Sequence, residues 1–154
     1  MTRTTFIAAF IGFVSIAIAP VALAGEHDAI LGKWTTANAK STVDIYECGG
    51  KVCGKIIALK VPRYPADDDK GMAGQIKIDR ENPDPALQKK PLIGLLVLKN
   101  FDRVEPGLWR NGTIYDPENG KTYKCKLTLE SPKNLHVRGY IGFSFIGRTT
   151  EWTR

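Results

Sequence analysis

An alternation of apolar and polar residues, interrupted by turn chemistry, constrains this chain more than any other feature. Tyr123-Lys124-Cys125-Lys126-Leu127-Thr128-Leu129 shows it: every second side chain suits a core and those between suit water. Strands have that period of two because successive side chains leave the backbone on opposite faces; a helix would need apolar residues three and four apart. Similar stretches occupy residues 31–36, 42–48, 53–60, 93–101, 108–116, 121–130, 135–141 and 145–153. Gly49-Gly50, Asp116-Pro117-Glu118-Asn119-Gly120 and Ser131-Pro132-Lys133-Asn134 lie between them and carry the residues that tight turns need. Asn111-Gly112 falls inside a strand and predicts a bulge. The chain reads as an antiparallel meander of about eight strands.

Such a meander leaves two open edges unless it closes, and closure is the usual solution at this size. Gly32-Lys33-Trp34 opens the first strand and Trp152-Thr153-Arg154 ends the last. In a closed up-and-down barrel these two strands are antiparallel neighbours, so the start of one lies beside the end of the other. The expected fold is therefore all-β: a closed antiparallel up-and-down barrel, with Arg154 stacked on Trp34. Arg148 is the rival for that contact, but six residues of strand would place it roughly 20 Å away along the chain. Residues 61–90, rich in Pro, Asp and Lys, do not alternate and are too long for a turn. There Asp84 can cap, and Pro85 can start, a short helical turn through Lys89.

The first 24 residues read as a signal peptide: Arg3, an apolar run over residues 6–18, Pro20, and Ala22-Leu23-Ala24 as a small-x-small cleavage site. The apolar run is shorter than the roughly 20 residues that span a bilayer. Cleavage leaves one domain, residues 25–154, for the periplasm or the exterior, with no second segment long enough to be transmembrane. Loss of Arg3 lowers the formal charge from +6 to +5, and the cations are scattered. An exported protein of that balance meets anionic envelope components rather than nucleic acid.

Export to an oxidising space makes the cysteines informative. Cys48 and Cys53 flank Gly49-Gly50, and residues flanking a tight hairpin face one another within disulfide reach. They are expected to be bonded. Cys125, on an alternating strand, reads as a core thiol. No further Cys or His stands at ligand spacing, so neither a metal site nor a cofactor is expected.

A family resemblance covers most of the mature chain. Gly32-Lys33-Trp34, residues 48–56 (CGGKVCGKI), Asn82-Pro83-Asp84-Pro85, residues 91–95 (PLIGL), residues 114–123 (IYDPENGKTY), residues 138–142 (RGYIG) and residues 147–154 (GRTTEWTR) occur in order. This series resembles the bacterial exported family called domain of unknown function 2147. The G-x-W, met by an Arg from the chain end, is similar to the lipocalin-like, or calycin, pattern. The resemblance implies a secreted or periplasmic lipocalin-like barrel and no established activity.

Candidate functional residues are few. His27 lies in the N-terminal tail, His136 lies on a strand, and no catalytic role is expected of either. Asp67-Asp68-Asp69-Lys70 lacks the later bidentate Glu of a calcium loop. Arg138, Tyr140 and Arg148 form the one suggestive polar set. Arg138 and Tyr140 share a face, and Arg148 joins them if the loop between the strands has odd length. Inside the barrel they would hold a carboxylate or phosphate head group, as an Arg-x-Tyr pair does in the fatty-acid-binding branch of that superfamily. Outside, they would lie on a solvated face while Leu135, Val137 and Ile141 fill the core. The expectation is a binding protein rather than an enzyme, for a small apolar or amphipathic ligand. The alternative is a filled barrel that contacts an envelope partner through its outer surface or residues 61–90. Oligomeric state is not legible.

Overall fold

The computed structural model describes residues 29–154, so the expected signal peptide, residues 1–24, and His27 lie outside the described residues. Eight strands follow one another: β1 (Gly32–Thr35), β2 (Ser41–Cys48), β3 (Lys51–Leu59), β4 (Leu96–Glu105), β5 (Leu108–Asp116), β6 (Lys121–Ser131), β7 (Asn134–Tyr140) and β8 (Gly147–Thr153). Each is hydrogen-bonded to the next, and β8 returns to β1 through Thr35 and Thr153, closing an antiparallel barrel.

The alternation sets the inside of the wall. Val43 and Ile45 on β2, Leu127 on β6, and Leu135 and Val137 on β7 are buried, while the residues between them turn outward. The bulge foreseen at Asn111-Gly112 is present. Asn111 adopts φ 61°, and the β5–β6 register shifts between Trp109 and Gly112. Gly49 and Gly50 take positive φ in the β2–β3 turn, and Cys48 is bonded to Cys53 on the outer face of that hairpin. Cys125 is the free cysteine and is fully buried.

Two expectations need correction. β4 starts at Leu96 rather than near residue 93, because Leu92 and Gly94 still bond within the preceding connection and to Ile56. Residues 84–90 are consecutive turns and not a helix. Asp84 does cap, accepting from the Ala86 amide at 2.9 Å, but the bonds that follow connect residues three apart and the run stops at Lys90. A 3-10 turn is present instead at Ala37–Ala39.

Candidate functional site

The barrel has a closed end and an open end. At the closed end the Trp34 indole donates to the Ile30 carbonyl at 2.7 Å, and the Arg154 guanidinium lies 4.3 Å from the ring centre. That guanidinium also donates to the carbonyls of Ala29, Leu31 and Pro132, tying the last residue to the segment before β1 and to the β6–β7 turn. Side chains fill the lumen above it. Phe101 and Trp109 are fully buried, and the Phe101 ring occupies the space that a side chain at Gly112 would need: a Cβ there would sit 2.4 Å from Phe101 Cγ.

The other half is open. A cavity of about 1260 Å³ has apolar walls from Val43, Ile56, Val97, Ile114, Val137 and Trp152. Its rim comes from the connections 36–40, 60–95, 117–120 and 141–146.

Strand register assigns the candidate residues to faces. Because Leu135 and Val137 are buried, Gly139 also points inward, and opposite it stand Cys125 on β6 and Arg148 on β8. Arg148 is therefore on the cavity side. Arg138 lies opposite Lys126 and Thr149 on the outer face, and Tyr140 lies opposite Lys124. Residues 141–146 form a connection of even length, so Arg148 takes the opposite face of the wall from Arg138 and Tyr140, although Tyr140 and Arg148 both border the cavity. The outer placement leaves Arg138 with another task. Its Nε donates to the Ser144 carbonyl at 2.7 Å, Nη2 to the Phe145 carbonyl at 3.2 Å, and Nη1 to Thr149 Oγ1 at 2.8 Å. Ile141, expected in the core, is exposed on that connection.

The absence of a side chain at Gly139 opens a slot in the inner wall. A Cβ built there would meet Ile114 Cγ2 at 3.5 Å and Tyr123 Cβ at 3.7 Å, so the slot is bordered by Ile114, Tyr123 and Arg148. Sequence reasoning passed over Tyr123 and Gly139. The signal was the inward series Leu135, Val137, Gly139, in which the third member has nothing to pack.

Residues 60–95 form a bonded lobe over part of the mouth. Asp79 is fully buried and accepts from Tyr115 Oη at 2.6 Å and from Asn82 Nδ2 at 2.6 Å, so β5 and the Asn82-Pro83-Asp84-Pro85 turn share one carboxylate. Burial and the adjacent carboxylate hold the Tyr115 phenol well above its ordinary pKa. Farther out, the Arg80 guanidinium sits 4.2 Å from the Tyr64 ring centre and donates to Asp68 Oδ1 at 2.8 Å. Asp68 also accepts from the Met72 and Lys70 amides, and these bonds, the Met72 amide foremost, hold its carboxyl below the usual range. The aspartate run is thus a bonded turn. Among the described residues, no group of three or more His, Cys, Asp or Glu is placed to hold a metal ion. His136 lies on the outer wall, its Nδ1 3.1 Å from Glu130 Oε1. Burial pushes the Cys125 thiol up to about 12.

Closed eight-strand topology, an end sealed by stacked Trp and Arg, and an open end with an apolar pocket define a lipocalin-like β-barrel. A solved structure supports the class: "Protein HP1028 from the human pathogen Helicobacter pylori belongs to the lipocalin family" superposes with a TM-score of 0.67 at 24% identity, covering 80% of this chain and 81% of that one. The chain itself belongs to the bacterial family described as "Uncharacterized protein conserved in bacteria (DUF2147)", whose model matches residues 32–154. No curated protein matches the chain.

Proposed function

We propose that this is an exported binding protein that holds a small apolar or amphipathic molecule in the open half of its barrel and performs no covalent chemistry there. The cavity carries the reading. An open cavity of about 1260 Å³, apolar at its floor and ringed by charged side chains of both signs such as Lys40, Arg80, Glu118 and Arg148, has the size and two-part lining of a site for a small amphipathic molecule. In this reading the apolar part of the ligand lies against Ile114, Val137 and Trp152, and a tail or ring edge enters the slot at Gly139. Arg148 meets a carboxylate or phosphate at the rim, where a charge-assisted hydrogen bond orients the ligand. The Cys48–Cys53 bond and the bacterial family support export, because structural disulfides persist in oxidising compartments.

Titration with anilinonaphthalene sulfonate, which is anionic and apolar like the ligand envisaged, tests the site. The expected result is one saturable site on the wild type. Arg148→Gln should weaken it about ten-fold through loss of one charge-assisted bond. Gly139→Val should weaken it at least as much by filling the slot. Equal affinity in all three proteins would refute the assignment.

A further inference from the structure

Residues 141–146 present the most exposed apolar surface described. Ile141, Phe143, Phe145 and Ile146 are 59% to 76% exposed, although each would bury well in a core. The segment is held in shape. Phe143 and Phe145 stack with ring centres 5.6 Å apart, the Ile146 amide donates to the Phe143 carbonyl at 3.0 Å, and Arg138 grips the carbonyls of Ser144 and Phe145 from below. A chain that only needed to link β7 to β8 would gain nothing from fixing four apolar side chains in water.

The charges around this projection are one-sided. Directly behind it on the outer wall stand Lys124, opposite Tyr140, and Lys126, opposite Arg138; Lys99 continues the row through Thr113. Among the described residues, none of these four cations forms an ion pair with a carboxylate, whereas Lys51, Lys70 and Arg80 do. The acids of the rim lie away from the projection, on the 60–95 lobe (Asp67, Asp68, Asp69 and Glu81) and at Asp116 and Glu118, and Asp68, Glu81 and Glu118 are paired there with Arg80, Lys70 and Lys40.

We infer that residues 141–146 and the wall behind them dock the barrel on an anionic lipid surface. The Phe143–Phe145 pair enters the apolar layer at the level where aromatic rings settle, and Lys124, Lys126 and Arg138 meet the headgroups. A second copy of the chain is the poorer occupant, because joining two such tips would bring the unpaired Lys124 and Lys126 of both copies together. The surface goes beyond the cavity reading and does not depend on it, but its position at the mouth would let a ligand pass between bilayer and barrel without crossing water.

The test uses exported protein and vesicles of phosphatidylethanolamine and phosphatidylglycerol, with phosphatidylcholine vesicles for comparison. Wild type should co-sediment with the anionic vesicles, and paired Phe143→Ser and Phe145→Ser substitutions should lower the partition coefficient at least ten-fold. A Phe143→Trp variant gives a local readout, because Trp34, Trp109 and Trp152 are all buried. Its emission should shift to the blue on anionic vesicles and be quenched by brominated acyl chains. The Gly139→Val variant, with its slot filled, should dock as well as wild type, which separates failure of this inference from failure of the cavity reading. Unchanged sedimentation of the double Ser variant would overturn the inference. So would a blue shift that brominated chains do not quench and that accompanies doubling of the mass, since self-association would then cover the tip.

Discussion

The Tyr115 phenol donates to the buried Asp79 carboxylate at 2.6 Å, and this bond joins a barrel strand to the lobe that roofs part of the mouth. Tyr115→Phe removes the donor and leaves a buried carboxylate oxygen without its barrel partner, at a cost of about 1–3 kcal/mol. The damage should be local. Limited proteolysis should cut within residues 60–95 faster than in wild type, while the wall strands remain protected. Equal cutting rates would show that the lobe is held by something else.

Gly112 and Gly139 both face the lumen on either side of Cys125, but Gly112 abuts the Phe101 ring while Gly139 borders the cavity, so they separate filled from open interior. Gly112→Ala drives a methyl group into the Phe101 ring and should destabilise by about 3 kcal/mol, as overpacked cores do. At Gly139 the nearest atoms stand 3.5 Å away, which is ordinary contact, so Gly139→Ala should change stability by less than about 0.5 kcal/mol. Urea midpoints of the two variants check this. Similar losses at both sites would mean that the upper half is as closely packed as the lower.

Arg154 and Trp34 should be energetically coupled. A guanidinium over an indole face, partly shielded from water, contributes about 1–2 kcal/mol. A double-mutant cycle with Arg154→Met and Trp34→Leu, read by denaturant unfolding, should return coupling of that order. Additive losses would reject it.

What the sequence showed and what it hid have separate physical causes. Alternation with period two is local, so strand positions, the Gly49-Gly50 hairpin with its disulfide and the bulge at Asn111-Gly112 were legible. Which face Arg148 occupies depends on whether a connection has an even or odd number of residues, and a shift of one strand end by one residue reverses the answer. The Asp79–Tyr115 bond was invisible because its partners lie far apart in the chain and Asp79 sits in a segment whose polarity reads as solvated. Ile141 was misplaced in the core since an apolar residue at a strand end looks the same whether it packs inward or projects from a loop.

Stability should fall in alkali. The Cys125 thiol has an ordinary pKa of 9.0 and is pushed up to about 12 by burial, so between those values the unfolded chain releases a proton that the folded chain keeps. Unfolding then releases a proton, and stability declines as pH rises, by about 1.4 kcal/mol per pH unit for one such group. Tyr115, also raised, acts in the same direction. Urea midpoints at pH 8 and at pH 10.5 should differ accordingly, and Cys125→Ala should flatten the slope. An unchanged slope in that variant would mean that Cys125 is not the titrating group.

The central claim is that the open half of the barrel carries a ligand. Native mass spectrometry of protein gathered from its own cell envelope tests it most directly. The account predicts a peak heavier than the polypeptide by one discrete small-molecule mass, with that mass absent from Gly139→Val. The bare polypeptide mass alone, under conditions that preserve non-covalent complexes, would contradict it.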